Sequence, residues 1–323
     1  LHAGSSLVLD DSGVLEGTGT ASTVTLSSSQ DITLGGSVVA KAGKVLASVD
    51  IEAGRNVALS GLVEAGTISI DAGAGISKDG RISGDAEARL IASTGDISLT
   101  TGEYGGNIVN NSTLTASAAS GEVHLSALGG SIQQVQASLN DGAVSANLAS
   151  GLITASALDA VAEIGISLNT AVSSVDLQVN SAGNIALTNQ GALTLTDVEA
   201  KDGGISISTT GKLTATLVKT LGDSDRNDIT LSTASNVTGA LTISNLTAGV
   251  RGDITLNSGA GEPTLTVGSA LAGTAVAASC AAAKGANPAA STRERRVKDA
   301  RDIRMAMKIA PGSILTMLGR NPR

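Results

Sequence analysis

One short phrase recurs along this chain: an Asp, Asn or Gly turn residue, then an apolar, a small polar and a second apolar residue. It reads Asp31-Ile32-Thr33-Leu34, Asn56-Val57-Ala58-Leu59 and Gly95-Asp96-Ile97-Ser98-Leu99. It returns as Gly121-Glu122-Val123-His124-Leu125, Gly183-Asn184-Ile185-Ala186-Leu187, Asp228-Ile229-Thr230-Leu231 and Gly252-Asp253-Ile254-Thr255-Leu256. Apolar residues two apart put one face of a strand in a core and leave the Ser and Thr between them outside. The Asp, Asn and Gly just before each run suit tight turns. The phrase therefore predicts strands of about five residues, each bounded by a bend.

Spacing decides between architectures. In sequence number, Ile32 to Ile51 is a step of 19, Ile185 to Ile205 of 20, Leu193 to Leu213 of 20 and Ile229 to Ile254 of 25. A near-20 period of short strands predicts a solenoid. A β-sandwich also brings strands every 8–12 residues, but its wide core needs large side chains. This chain has no Phe, no Trp and one Tyr, Tyr104. Its core must come from Leu, Ile, Val and Ala, which fit a narrow coil stacked at ~4.8 Å. Four Pro among 323 residues exclude collagen and polyproline, and no apolar run approaches the length of a membrane helix.

The phrase blurs between about 131 and 182. The stretch Ala155 to Ile164 allows a helical turn, but Val144, Leu148, Ile153, Ile166, Leu168, Val175, Leu177 and Val179 keep the alternation nearby, so coils are expected to continue. The predicted solenoid spans 1–275. The pattern stops after Thr274, and 276–323 reads as an Ala-rich linker with a basic helix or disordered tail. Ser291-Thr292-Arg293-Glu294 has capping-box spacing. Val297, Ala300, Ile303, Met307 and Ala310 follow at helical spacing up to Pro311-Gly312. Three roles fit such a tail: a cap or linker, a membrane-lying helix, or residues read from a shifted frame.

Charge divides at the same place. Residues 284–323 hold ten Lys and Arg against three Asp and Glu, whereas 1–283 hold 11 against 26. The acidic body argues against a nucleic-acid partner. One cysteine, Cys280, excludes an internal disulfide framework. The opening residues show no leader pattern, so the sequence reads as a processed chain or an internal fragment.

The Gly-Asp/Asn-Ile-x-Leu phrases at this period resemble the filamentous-haemagglutinin-like exoproteins and large repetitive adhesins of Gram-negative bacteria. The resemblance covers about 1–275. It implies an all-β, right-handed parallel β-helix, exported by two-partner secretion or as an autotransporter passenger. An outer-membrane transporter would be the partner during export, and the location extracellular or at the cell surface. The expected work is that of a rigid stalk or interaction surface, without catalysis or cofactor, against a host or bacterial surface receptor or glycan. Two alternatives stand beside it: a delivery stalk of a contact-dependent toxin, and a polysaccharide-active β-helix enzyme.

Candidate sites are few. Arg251-Gly252-Asp253 spells a tripeptide that integrins recognise, although Gly252-Asp253 is also the ordinary turn of the repeat. Asp223, Asp225, Asn227 and Asp228 place alternate oxygens as a Ca²⁺ loop would. Yet the sixth position carries no Gly and the twelfth, Ala234, no acid. His124 sits at an outward position with no second His or Cys to complete a zinc site. No Gly-x-Ser-x-Gly elbow accompanies the many serines. The pairs Thr23/Thr25, Thr113/Thr115, Thr194/Thr196, Thr214/Thr216 and Thr264/Thr266 are expected to face outward, spaced too irregularly for a flat ice-binding ladder.

Overall fold

The computed structural model describes residues 1–18, 22–40, 47–73, 80–104, 106–110, 112–134, 151–234, 241–249 and 251–258, together with the strands Thr264–Leu271, Ala275–Cys280, Met305–Lys308 and Ile314–Leu318. These residues are all-β and contain no helix, and they form a parallel β-helix. The chain divides into two compact units, Leu1–Ala171 and Val172–Arg323.

In the first unit each coil carries three strands, and each strand stacks in parallel on its counterpart one coil away. The first column runs through His2–Ala3, Thr23–Ser28, Ser48–Ala53, Thr67–Ala72, Ile97–Thr101, Glu122–Ala127 and the second half of Ile153–Ala162. The second holds Leu7–Leu9, Ile32–Leu34, Val57–Leu59, Ile82–Gly84, Ile108–Asn110 and Ser131–Gln133. The third holds Val14–Gly17, Ser37–Ala40, Leu62–Ala65, Arg89–Ala92 and Thr113–Ala116.

The coil length here corrects the near-20 expectation. Val24 stacks on Val49, Ile32 on Val57 and Val38 on Val63, each pair 25 apart in sequence number. Ile32 and Ile51, the pair 19 apart, lie in different columns; Ile51 stacks on Leu26 and Ile70. Coil length varies along the unit: Ile51 stacks on Ile70 at 19 and Ile68 on Ile97 at 29, each coil still carrying three strands.

The second unit keeps the shorter period in its first coils. Ile185 stacks on Ile205, and Leu193 on Leu213, both pairs 20 apart in sequence number. Coils stay short because one strand turns a corner without a loop. In Leu193–Asp202 the inward residues are Leu193, Leu195, Val198 and Ala200, a step of three at Thr196-Asp197. Leu213–Thr220 repeats the step at Thr216-Leu217. Coils then lengthen, and Ile229 stacks on Ile254 at 25.

Like lies on like inside both units. Ile82, Ile108 and Ile132 form one file; Leu193 and Leu213 belong to another; all are essentially fully buried. Each Ile or Leu so buried contributes roughly 1.5–3 kcal/mol, without any aromatic ring. The described part of the blurred stretch is largely strand, as the alternation implied: Ile153–Ala162 buries Leu158, Ala160 and Ala162. Val144 and Leu148 lie outside the described residues.

The end of the chain departs from expectation. Parallel pairing runs on through Ala275–Cys280, which stacks on Ile254–Ser258. Met305–Lys308 and Ile314–Leu318 are strands, and they pair antiparallel with Thr264–Val267 and Ala275–Ser279. Met307, one of the residues at helical spacing, is therefore in a sheet. An exposed sheet edge offers more backbone hydrogen bonds than a lone short helix can supply for itself. Val297, Ala300, Ile303 and Ala310 fall outside the described residues. No helix among the described residues is long and apolar enough to cross a membrane.

Candidate interaction surface

The outward positions of the strands form the surfaces available to a partner. On the first column of the first unit they follow the register Thr25, Asp50, Ser69, Ser98, His124 and Asp159. A parallel file reads Ser27, Glu52, Asp71, Thr100 and Ser126. Short hydroxyl and carboxylate side chains at strand spacing make a low-relief polar face. Thr23, Thr25, Thr113, Thr115, Thr194, Thr196, Thr214 and Thr216 all take outward positions, as β propensity on a solvated face favours. Thr264 and Thr266 lie in a strand whose side chains are not described.

Acidic pairs arise where this register places carboxylates on adjacent coils. Asp71 stacks on Glu52. Partial burial, with the neighbouring Glu52 charge, holds the Asp71 carboxyl above the ordinary carboxylate value. Asp176 likewise stacks on Asp197 in the second unit, and Glu199 beside them pairs with Lys219 at 2.5 Å. The Glu199 hydrogen bond raises the Lys219 pKa against the opposing pull of burial. One Asp197 carboxylate oxygen is buried without a hydrogen-bond partner. His124 is bracketed by carboxylates, with Nε2 3.5 Å from Glu122 and Nδ1 3.6 Å from Asp159. Spacing hides Asp159 from sequence reading, since it lies far along the chain and faces His124 only through the register.

The turn residues of the phrase do more than turn. Asp31 Oδ1 accepts the backbone N–H of Asn56 at 3.2 Å, and Asn56 Oδ1 accepts that of Arg81 at 3.1 Å. Asp96 does the same for Glu122, Asn107 for Ser131, Asn184 for Gly204 and Asp228 for Asp253, at 2.8–2.9 Å. Each side chain thus staples its coil to the next. Burial pushes the Asp31 carboxyl up, but hydrogen bonds from Asn56 and Arg55 outweigh it and leave the pKa below the ordinary value.

The four residues of the expected cation loop do not converge. Asn227 is fully buried, and its Oδ1 accepts the backbone N–H of Ser224 at 3.2 Å. Its backbone oxygen accepts from Thr220 Oγ1 at 3.0 Å, so Asn227 closes the loop from inside. Asp228 uses Oδ1 on the Asp253 amide. Asp223 and Asp225 are exposed. Among the described residues no group of three or more His, Cys, Asp and Glu side chains could hold a metal ion. Asn227 and Asp228, the last two of the four, thus each have a side-chain oxygen engaged by a backbone N–H of the fold.

Arg251, Gly252 and Asp253 occupy a turn whose amide Gly252 N donates to Gly249 O at 2.9 Å. Arg251 and Asp253 are exposed, while Gly252 is buried. A Cβ on Gly252 would stand 2.4 Å from the backbone oxygen of Asn227. Glycine is therefore required there by coil stacking, whatever the tripeptide does. No family model, curated protein or solved structure matches the chain.

Proposed function

We propose that this chain is a structural and adhesive segment of an exported, surface-displayed bacterial protein. It serves as a rigid stalk and as an interaction surface. The observation that carries the reading is the self-complementary register, in which a small-polar outer face is repeated coil after coil over an aliphatic file. Such an architecture lengthens by adding coils and presents the same chemistry along its length. An outer-membrane transporter would pass it outward unfolded. Coils then form in sequence by nearest-neighbour contacts, with no disulfide required of the single Cys280. The receptor is a surface protein or glycan of a host or another bacterium, and Arg251 with Asp253 is the tripeptide to test against integrins.

The test immobilises the purified chain on beads and counts cells retained against beads carrying an unrelated acidic protein. Retention that urea-unfolded chain does not reproduce supports the reading. Equal retention by both beads removes it.

The Asp176–Asp197 stack favours a second reading, a polysaccharide-cleaving β-helix, because sugar hydrolysis uses paired carboxylates. Release of reducing ends from acidic or neutral polysaccharides, lost in Asp197→Asn, would establish it.

A further inference from the structure

His124 stands on the outward side of the first column, and each of its ring nitrogens faces a carboxylate. Nε2 lies 3.5 Å from Glu122 Oε2, and Nδ1 lies 3.6 Å from Asp159 Oδ2. A neutral imidazole has one N–H, so it can donate toward only one of the two. Its other nitrogen then turns a lone pair toward negative charge. The protonated ring donates at both nitrogens and sets its positive charge between the carboxylates. The arrangement therefore favours the charged ring.

The neighbouring strands bring no competing cation. On its own strand, Glu122–Ala127, the outward residues beside His124 are Glu122 and Ser126. The preceding coil sets Ser98 opposite His124 and Thr100 opposite Ser126, and Asp96 accepts the Glu122 amide at 2.8 Å. The following coil sets Asp159 opposite His124, Ala157 opposite Glu122 and Val161 opposite Ser126. Asp96, Glu122 and Asp159 are thus the titratable groups that face His124 from these coils. Asp71, opposite Thr100, is one coil farther away. None of the three strands carries Lys or Arg.

The contact joins two coils where stacking asks most of the chain. Ile97 stacks on Val123 at 26 in sequence number, whereas Val123 stacks on Leu158 at 35, the longest step in the first column. A longer closure costs more chain entropy. Glu122 stays two residues from His124 even in the unfolded chain, but Asp159 reaches it only through the register. The fold-dependent attraction is therefore the Asp159 contact. We infer that His124 and Asp159 form a proton-operated clamp, which fastens the coil carrying Asp159 to the coil carrying His124 more firmly in mild acid than in alkali. The contribution is present below the ordinary imidazole value of about 6.5 and is lost as the ring deprotonates at higher pH. It fades again below about pH 4, where carboxylates take up protons. The clamp is independent of the adhesive role.

The test uses the full chain, whose only histidines are His2 and His124. Ring-proton NMR shifts follow both through pH. Asp159→Asn is expected to move the His124 titration to lower pH and to leave that of His2 in place. Urea unfolding at about pH 5.5 and about pH 8 then compares the wild type, His124→Gln, Asp159→Asn and the double variant. The advantage of the wild type over His124→Gln, read as a ratio of unfolding constants, is expected to be about threefold larger in acid, the scale of a partly exposed ion pair. In the Asp159→Asn background that increase should disappear. His124→Lys, charged at both pH values, should carry the acid-state advantage into alkali. A His124 titration that Asp159→Asn does not move overturns the inference. So does an advantage equal at the two pH values, or an acid increase that survives Asp159→Asn. Retained β circular dichroism shows that each variant is folded. The NMR comparison needs no substitution of His124, so it decides the matter even where His124→Gln fails to fold.

Discussion

Asp31 and Asn56 stand one coil apart, and Asp31 Oδ1 accepts both the backbone N–H of Asn56, at 3.2 Å, and its side-chain N–H, at 3.0 Å. Asn56 then passes the same bond to Arg81. The acid or amide before each apolar pair is thus a coil-to-coil staple. Asp31→Ala removes the acceptor and is expected to cost about 1 kcal/mol. Asp31→Asn, which keeps an oxygen in place, should cost less. Urea unfolding followed by circular dichroism measures both, and equal losses would show that the staple does not act through this oxygen.

Acid should unfasten the same staple. The Asp31 carboxyl titrates below its ordinary value of 3.8, so its charge contributes stability above that value. The contribution disappears as pH falls through the lower folded pKa. The urea midpoint of the wild type should exceed that of Asp31→Asn near neutrality, and the gap should close at pH well below 3.8. A gap that stays constant with pH would assign the effect to shape and not to charge.

Asp71 carries the opposite sign. Burial and Glu52 raise its pKa, so the ionised form is penalised above the folded value and relieved as pH falls through it. Asp71→Asn is expected to stabilise the chain at neutral pH by about 0.5 kcal/mol, the scale of a cross-strand like-charge pair. The gain should shrink in acid. Urea midpoints across pH check the direction.

Coil stacking sets sharp demands at certain glycines. A Cβ on Gly61 would stand 1.9 Å from the backbone oxygen of Gly36, while one on Gly4 would meet nothing within 4 Å. Gly61→Ala is expected to destabilise by more than about 2 kcal/mol, as backbone must shift to relieve the overlap. Gly4→Ala should be near neutral. Matching thermal unfolding curves for the two variants would contradict the tight approach of successive coils.

Much of this architecture is legible in sequence, for a physical reason. Alternation in Ile97-Ser98-Leu99 records which side chains face inward, and the lack of aromatics records how narrow the interior is. The period misleads in the first unit because the phrase occurs in more than one column. Asp31-Ile32 and Asn56-Val57 lie in the second column, 25 apart, whereas Asp96-Ile97 lies in the first. Distances between successive phrases therefore mix steps around a coil with steps along the stack. The staples escape notice because Asp and Asn are equally at home as plain turn residues. Met307 misleads because helical spacing in a short stretch says nothing about an available strand edge.

The pairing of Ile32 tests the coil itself most directly. Methyl NOEs should join Ile32 to Val57, one coil on, and Val57 to Ile82, in one unbroken file. Contacts from Ile32 to Ile51 in its place, or antiparallel Hα–Hα contacts between these strands, would contradict the parallel coil and the surfaces built on it.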